Sequence, residues 1–192
     1  MQKDLIENTA VYGLSESVRA SKFPMATDTD WCNSEITSTT RKLAGAEIGS
    51  GHDNFLNGIV VQFDLTFTVK AWTEAERYHF FDFVSSQSTM HRITRFDLDS
   101  AYIRYTDPRI IAIMKEKIAE YNENPTDERY LEILYSNPCG FRLTARMTTN
   151  YRQLKTIYSQ RKNHRLPEWR EFCRWIETLP YFSDLCLGGK DE

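Results

Sequence analysis

Hydrophobic and polar positions alternate most cleanly in the second half of Ile59–Val69, where Phe63, Leu65, Phe67 and Val69 oppose Gln62, Asp64, Thr66 and Thr68. A period of two in a β-branched, aromatic run predicts a strand with one buried face. Thr73-Glu-Ala-Glu76 has the form of a capping box and predicts a helix from there toward Ser88. Tyr78, Phe80, Phe81 and Phe83 would occupy several of its faces, so that helix is expected to be deeply buried. Further helices are expected over Ser34–Leu43 (closed by Gly45), Pro108–Tyr121 with Ile110, Ile111, Met114 and Ile118 inside, Glu128–Tyr135, and Glu168–Thr178. Phe141–Met147 reads as a second strand, and residues 1–30 as irregular.

The helix capped by Thr149 or Asn150 carries an unusual stripe. Asn150, Leu154, Ile157 and Arg161 lie at i, i+4, i+7 and i+11, one face of a 3.6-residue repeat that begins with an amide and ends with a guanidinium. An unpaired buried charge costs several kcal/mol, so Arg161 is expected to face an anion, a carbonyl or a ligand pocket. The simpler alternative is a side chain that snorkels out of the packed helix end.

Composition narrows the class. The 192 residues, 41% hydrophobic and 13% aromatic, can bury a sizeable core, and no long linker, repeat or low-complexity tract divides them. One α+β domain over 1–192 is expected, with an antiparallel or mixed sheet packed against helices. No run is apolar enough to span a membrane, and the N-terminus lacks a signal-peptide core. Cys32, Cys139, Cys173 and Cys186 lie far apart, which suits free thiols in a reducing cytoplasm. The four histidines lack metal-ligand spacing, and P-loop and GxGxxG motifs are missing. The net charge is −3, yet Arg146–Arg174 holds eight Lys/Arg against Glu168 and Glu171, a local +6 that points to an anion site, a nucleic-acid face or a solvated helix surface. The polar cluster Ser85-Ser-Gln-Ser-Thr-Met-His-Arg92 would serve equally as a solvated helix end or as a set of phosphate and base contacts.

Two blocks together resemble the flavin-dependent thymidylate synthases. Gly51-His52 precedes the expected strand, and Arg77-Tyr78-His79 stands where that family has Arg-His-Arg, with the same interval from His52 to Arg77. Downstream, Pro138 is followed by Asn150-Tyr-Arg-Gln-Leu154, Arg161 and Glu168-Trp169, in the order of the family's Asn-x-Arg-x-Leu, arginine and Gln-Trp segment. The blocks cover roughly 44–95 and 138–176; residues 1–43 and 96–137 have no match. The chain also departs from the pattern. Eight residues rather than seven separate the triplet from Ser88, Glu-His becomes Asn57-Gly58, the arginine before the strand proline is Leu134, and the nucleotide-loop acid or amide matches Gln87 only loosely.

The resemblance implies the family's fold and FAD-dependent methylation of dUMP to dTMP, with methylenetetrahydrofolate and NADPH as co-substrates. It places His52, Arg77, His79, Asn150 and Arg152 on FAD, and Gln87, Ser88 and Arg92 on the pyrimidine nucleotide. Arg161 would bind the pyrimidine and act in catalysis by favouring its ionised form. It implies a homotetramer with FAD between subunits, so that one chain would not hold a whole site. No metal is implied. Ranked behind this reading are a catalytically lapsed relative that binds a nucleotide or a protein partner, and then a nucleic-acid-binding module using the basic segment.

Overall fold

The computed structural model describes residues 4–188. Strand β1 (Ile6–Tyr12) and helix α1 (Leu14–Ala20) come first, followed by α2 (Ser38–Ala44), β2 (Val60–Thr68), α3 (Val69–Ala75) and β3 (Asp82–Ser86). Two short helical turns, α4 (Thr89–Arg92) and α5 (Leu98–Ala101), lead to the hairpin of α6 (Pro108–Glu123) and α7 (Asp127–Ser136). Then β4 (Arg142–Asn150) runs straight into α8 (Tyr151–Arg161), with α9 (Pro167–Glu177) and α10 (Phe182–Cys186) after it. The expected α+β class is the class observed.

The four strands form one antiparallel sheet in the order β1-β2-β4-β3. Central strand β2 pairs with β4 over its whole length, Phe63 opposite Met147 and Thr68 opposite Arg142. The expected alternation is incomplete, since Thr66 and Thr68 are buried too and Val69 is the first residue of α3 and only half-buried; it holds for Phe63, Leu65 and Phe67, which with Val61 are fully buried. They pack on Trp169, Phe172 and Ile176 of α9 and Leu154 and Ile157 of α8, all without solvent exposure. Phe67 meets Trp169 edge-on at 4.9 Å between centroids and Phe172 at 5.9 Å, the quadrupole-favoured arrangement. The opposite face is polar and partly exposed, with Arg146 on β4 pairing with Asp64 on β2 at 3.3 Å. A smaller second core gathers Ile93, Met114, Ile133 and Phe141 beneath the α6–α7 hairpin.

The structure corrects several expectations. The single helix from Thr73 to Ser88 does not form. Its helix starts earlier because Thr68 caps it, accepting the Ala71 N–H at 3.1 Å. Thr73 sits inside the helix with its hydroxyl donating back to Lys70 O. The chain then turns at Glu76–Phe80 and continues as edge strand β3, every residue of which is exposed. Of the four aromatics only Phe81 is buried; Phe80 adopts φ +58° and points outward. The first 30 residues are not irregular, since they contain β1 and α1. Ile110 is exposed rather than inside α6, the second strand runs on to Asn150, and α2 begins at Ser38 behind a Thr37/Thr40 capping box. The four cysteines are free thiols, as expected.

Candidate functional site

The turn after α3 and the outer face of α8 enclose a small polar recess of about 310 Å³, lined by Arg77, Tyr78, His79, Gln153, Gln160 and Arg161. Three of the side chains carried over from the resemblance, Arg77, His79 and Arg161, are therefore brought together. Arg77 and His79 are reached from the turn, not from a helix as the family pattern implied.

Arg161 is only 11% exposed, and the prediction that a charge so placed must find a partner holds. Its Nη1 donates to Glu74 Oε2 at 2.9 Å and its Nε to Tyr78 Oη at 2.7 Å, while Tyr78 Oη donates on to Gln160 Oε1 at 2.9 Å. The guanidinium carbon lies 4.9 Å from the centre of the Trp169 ring and 5.4 Å from that of Tyr78, within cation–π range. Lys70 bonds the other oxygen of Glu74 at 3.0 Å. The primary partner of Arg161 is thus a carboxylate of its own chain, and only its Nη2 remains uncommitted.

His164 completes the cluster, with Nε2 2.8 Å from Arg161 Nη1 and 3.3 Å from Glu74 Oε2. Its Nδ1 faces the Leu166 N–H at 3.2 Å, while the group nearest Nε2 is the Arg161 guanidinium, which can only donate. Desolvation, then the neighbouring Arg161 charge, hold its pKa below 6.5, outweighing Glu74. For Glu74, desolvation raises the pKa, but the Lys70 hydrogen bond and the Lys70, His164 and Arg161 charges together bring it below 4.5.

Asn150 and Arg152 have other first duties. Asn150 is the N-cap of α8, its side-chain oxygen accepting the Gln153 N–H at 2.9 Å. An amide opens the helix because an N-cap needs one, so the stripe that began at Asn150 is a cap followed by a buried face. Arg152 Nε donates to Asp53 Oδ1 at 2.9 Å, and Lys155 Nζ donates to Asp53 Oδ2 at 3.1 Å and to the carbonyls of Ala44 and Ala46 at 2.7 and 2.6 Å. Asp53 and Lys155 are buried and tie the 44–53 loop to α8. Both were missed in the sequence, although Tyr151, Leu154, Lys155 and Tyr158 share helical spacing with a buried lysine among them.

His52, next to Asp53, opens instead onto a wide cleft of about 1370 Å³ walled by Met25, Trp31, Leu43 and Phe55, with Lys22 and Glu35 at its margin. The predicted nucleotide contacts lie elsewhere again. Gln87 continues the β3–β4 ladder, donating its backbone N–H to Thr144 O and accepting the Thr144 N–H through Oε1, both at 2.9 Å. Ser88 precedes α4 without capping it, and Arg92 is exposed on α4. The run from Asp82 carries Gln87 about 16 Å from the start of the strand, and none of the three lines the recess. One chain therefore does not bring the two predicted halves of a nucleotide site together.

The family departures have local causes. Gly58 closes a 3₁₀ turn (Asn54–Gly58) lying against α1, where a Cβ would sit 2.4 Å from Ser17 Oγ. Leu134 packs on the second core, and Tyr78 holds Arg161 and Gln160. No thiol is set up as a nucleophile at Cys173 or Cys186, where burial pushes the pKa up to about 12. No group of three or more His, Cys, Asp or Glu among the described residues could hold a metal, and no helix among them is long and apolar enough to cross a membrane.

The fold of this chain is shared with solved structures of flavin-dependent thymidylate synthases and of a related UMP/dUMP methylase. The chain superimposes on ThyX from Helicobacter pylori, complexed with FAD and dUMP, with a TM-score of 0.72 and 12% identity over 96% of each chain. It also matches the UMP/dUMP methylase PolB from Streptomyces cacaoi bound with 5-Br UMP, with a TM-score of 0.63 and 13% identity over 96% of this chain and 92% of that one. At such identities the likeness is one of fold. No protein-family model and no curated protein matches the sequence.

Proposed function

We propose that this protein binds a pyrimidine nucleotide and FAD and modifies the pyrimidine at C5, dUMP to dTMP being the simplest case. The observation that carries the reading is the recess. It gathers Arg77, His79 and Arg161, three of the residues to which the resemblance gives a role, in a fold whose neighbours bind FAD and dUMP.

The side chains fit an elongated, phosphate-bearing flavin cofactor. Helix α8 is about 16 Å long and runs from Arg152, beside the wide cleft, to the recess. Arg152 keeps both Nη groups, and Arg77 and His79 are exposed, so donors occur along the whole path. Trp31, Phe55 and Leu43 offer apolar surface for a flat ring, with His52 at the edge. When bound, FAD would supply the redox step of carbon transfer, with NADPH and methylenetetrahydrofolate as co-substrates. The protein's share is orientation and charge. Gln87, Ser88 and Arg92 would hold the nucleotide phosphate by charge-assisted hydrogen bonds, and Arg161 Nη2 would meet the base.

The two halves lie apart in one chain, so the complete site needs a second copy, and we assign the exposed β3 edge to that contact within a homotetramer. Phe80, Phe83, Val84 and Met90 form an apolar patch there, with 57% of Val84 exposed. The ion pair between Arg161 and Glu74 favours a second reading, a relative that binds the nucleotide without turnover, because Glu74 neutralises the charge that would stabilise an ionised pyrimidine. A nucleic-acid face has less support. Arg146, Arg152, Lys155 and Arg161 of the basic segment are paired with Asp64, Asp53 and Glu74 of the same chain.

The absorption spectrum of purified protein, then dUMP-dependent turnover, separates these readings. Flavin bands with thymidylate formation are expected. Arg161→Ala should retain flavin and lose about 100-fold or more in rate, and Arg77→Ala should weaken flavin binding itself. Protein that stays colourless when FAD is supplied rejects the flavin assignment, and bound flavin and dUMP without turnover selects the lapsed relative.

A further inference from the structure

Two further arginines of the basic segment, Arg170 and Arg174, line a second cleft that shares no residue with the recess. It has a volume of about 450 Å³ and lies at the start of α9, with Arg170 and Arg174 on that helix, Arg142 at the start of β4, and Arg104 and Tyr105 on the loop after α5. These guanidinium groups are not neutralised by contact with acids. Arg170 Nη1 donates only to the carbonyls of His164 and Arg165, at 2.6 and 2.8 Å. Arg142 Nη2 donates to Ser100 O at 2.6 Å, while its Nε is buried with no acceptor. Arg104 lies over the Tyr105 ring at 4.8 Å and donates to its hydroxyl. Arg174 is exposed, with no hydrogen bond or ion pair among the described residues. Three acids line the same cleft, Asp4, Glu168 and Glu171. The Glu168 carboxylate is turned inward, buried, and accepts the Thr68 N–H at 3.0 Å.

Four guanidinium groups around one cleft, none of them in contact with an acid, form a donor array for a multiply charged anion. The cleft's volume is that of a small-molecule site, too small for a duplex. Tyr105, 64% exposed and flanked by Arg104, gives a planar ring at the rim on which a base can stack. We propose that this cleft binds a nucleoside polyphosphate, with the phosphates among Arg142, Arg170 and Arg174 and the base against Tyr105. The site is separate from the candidate pyrimidine recess and does not depend on its assignment.

Calorimetric titration of the full chain with dTTP, ATP and inorganic tripolyphosphate, without divalent metal, tests this. Saturable binding of all three, one per chain, is expected. Arg174→Glu should weaken each by about tenfold or more, the loss of a charge-assisted contact, and leave dUMP binding unchanged. Arg174 is exposed, so its variant should fold; Arg142→Met is a second probe, checked by circular dichroism. Tyr105→Ala should weaken the two nucleotides and spare tripolyphosphate. Absence of saturable binding, or equal affinity in wild type and Arg174→Glu, overturns the proposal. Tight binding of oligothymidylate without binding of the mononucleotides overturns it in favour of single-stranded nucleic acid. Tripolyphosphate binding with no effect of Tyr105→Ala on the nucleotides overturns the nucleoside assignment.

Discussion

Asp53 carries a buried negative charge that only Arg152 and Lys155 offset. Removing one partner of such a group leaves the others desolvated and uncompensated, at a cost of about 3–5 kcal/mol. Asp53→Ala should lose stability on that scale in urea unfolding, and Asp53→Ala with Lys155→Met should recover much of it. The Glu74–His164 cluster sets the acid side of the stability profile. His164 is held below 6.5 in the fold, so as pH falls through 6.5 the unfolded chain takes up protons that the folded one refuses, and stability declines. Glu74 is held below 4.5, so its stabilisation is present above that value and is lost as pH falls further through the folded pKa. Urea midpoints followed from pH 8 to well below 4.5 should therefore fall toward acid, and His164→Asn should remove the decline near 6.5 while leaving the lower one.

At the scale of elements, the turn between β1 and α1 depends on Gly13. It adopts φ +72°, and a Cβ there would lie 2.4 Å from the Gly58 carbonyl oxygen, a backbone atom that no rotamer change can move. Gly13→Ala should cost about 1–3 kcal/mol, read as a lower thermal midpoint. The Ser17 hydroxyl facing Gly58 can rotate, so Gly58→Ala should cost less. Elements with one buried face were legible in the sequence: β2 by its alternation, α6 and α7 by their periodicity, α8 by its cap. Strand β1 was not, because a register irregularity between Glu7 and Ala10 and the φ of +51° at Asn8 break its period. The helix expected over 73–88 failed for a related reason. Aromatic residues signal a core, but Phe80 lies in an exposed turn and Phe83 on an exposed edge strand, and Thr68 makes the helix cap in place of Thr73.

Across the whole molecule, the subunit contact proposed above rests on the β3 edge and the apolar side chains exposed beside it. Val84→Lys places a charge on that edge and should shift the sedimentation coefficient to that of a monomer; an unchanged assembly would locate the subunit contact elsewhere. The candidate site was legible to the extent that its members are near in sequence or lie on one helix: Arg77 with His79, and Arg161 at the end of α8. Glu74 and Tyr78 were not, because their partnership with Arg161 spans 87 and 83 positions and exists only once the chain is folded. Lys155 shows what such long-range joining entails for chemistry at the surface. All three of its ammonium hydrogens are taken up by acceptors more than 100 positions away in the chain. Amine-directed acylating reagents should label the exposed lysines within minutes and this one only when the loop and helix separate. Its labelling rate would thus serve as a built-in clock for global opening.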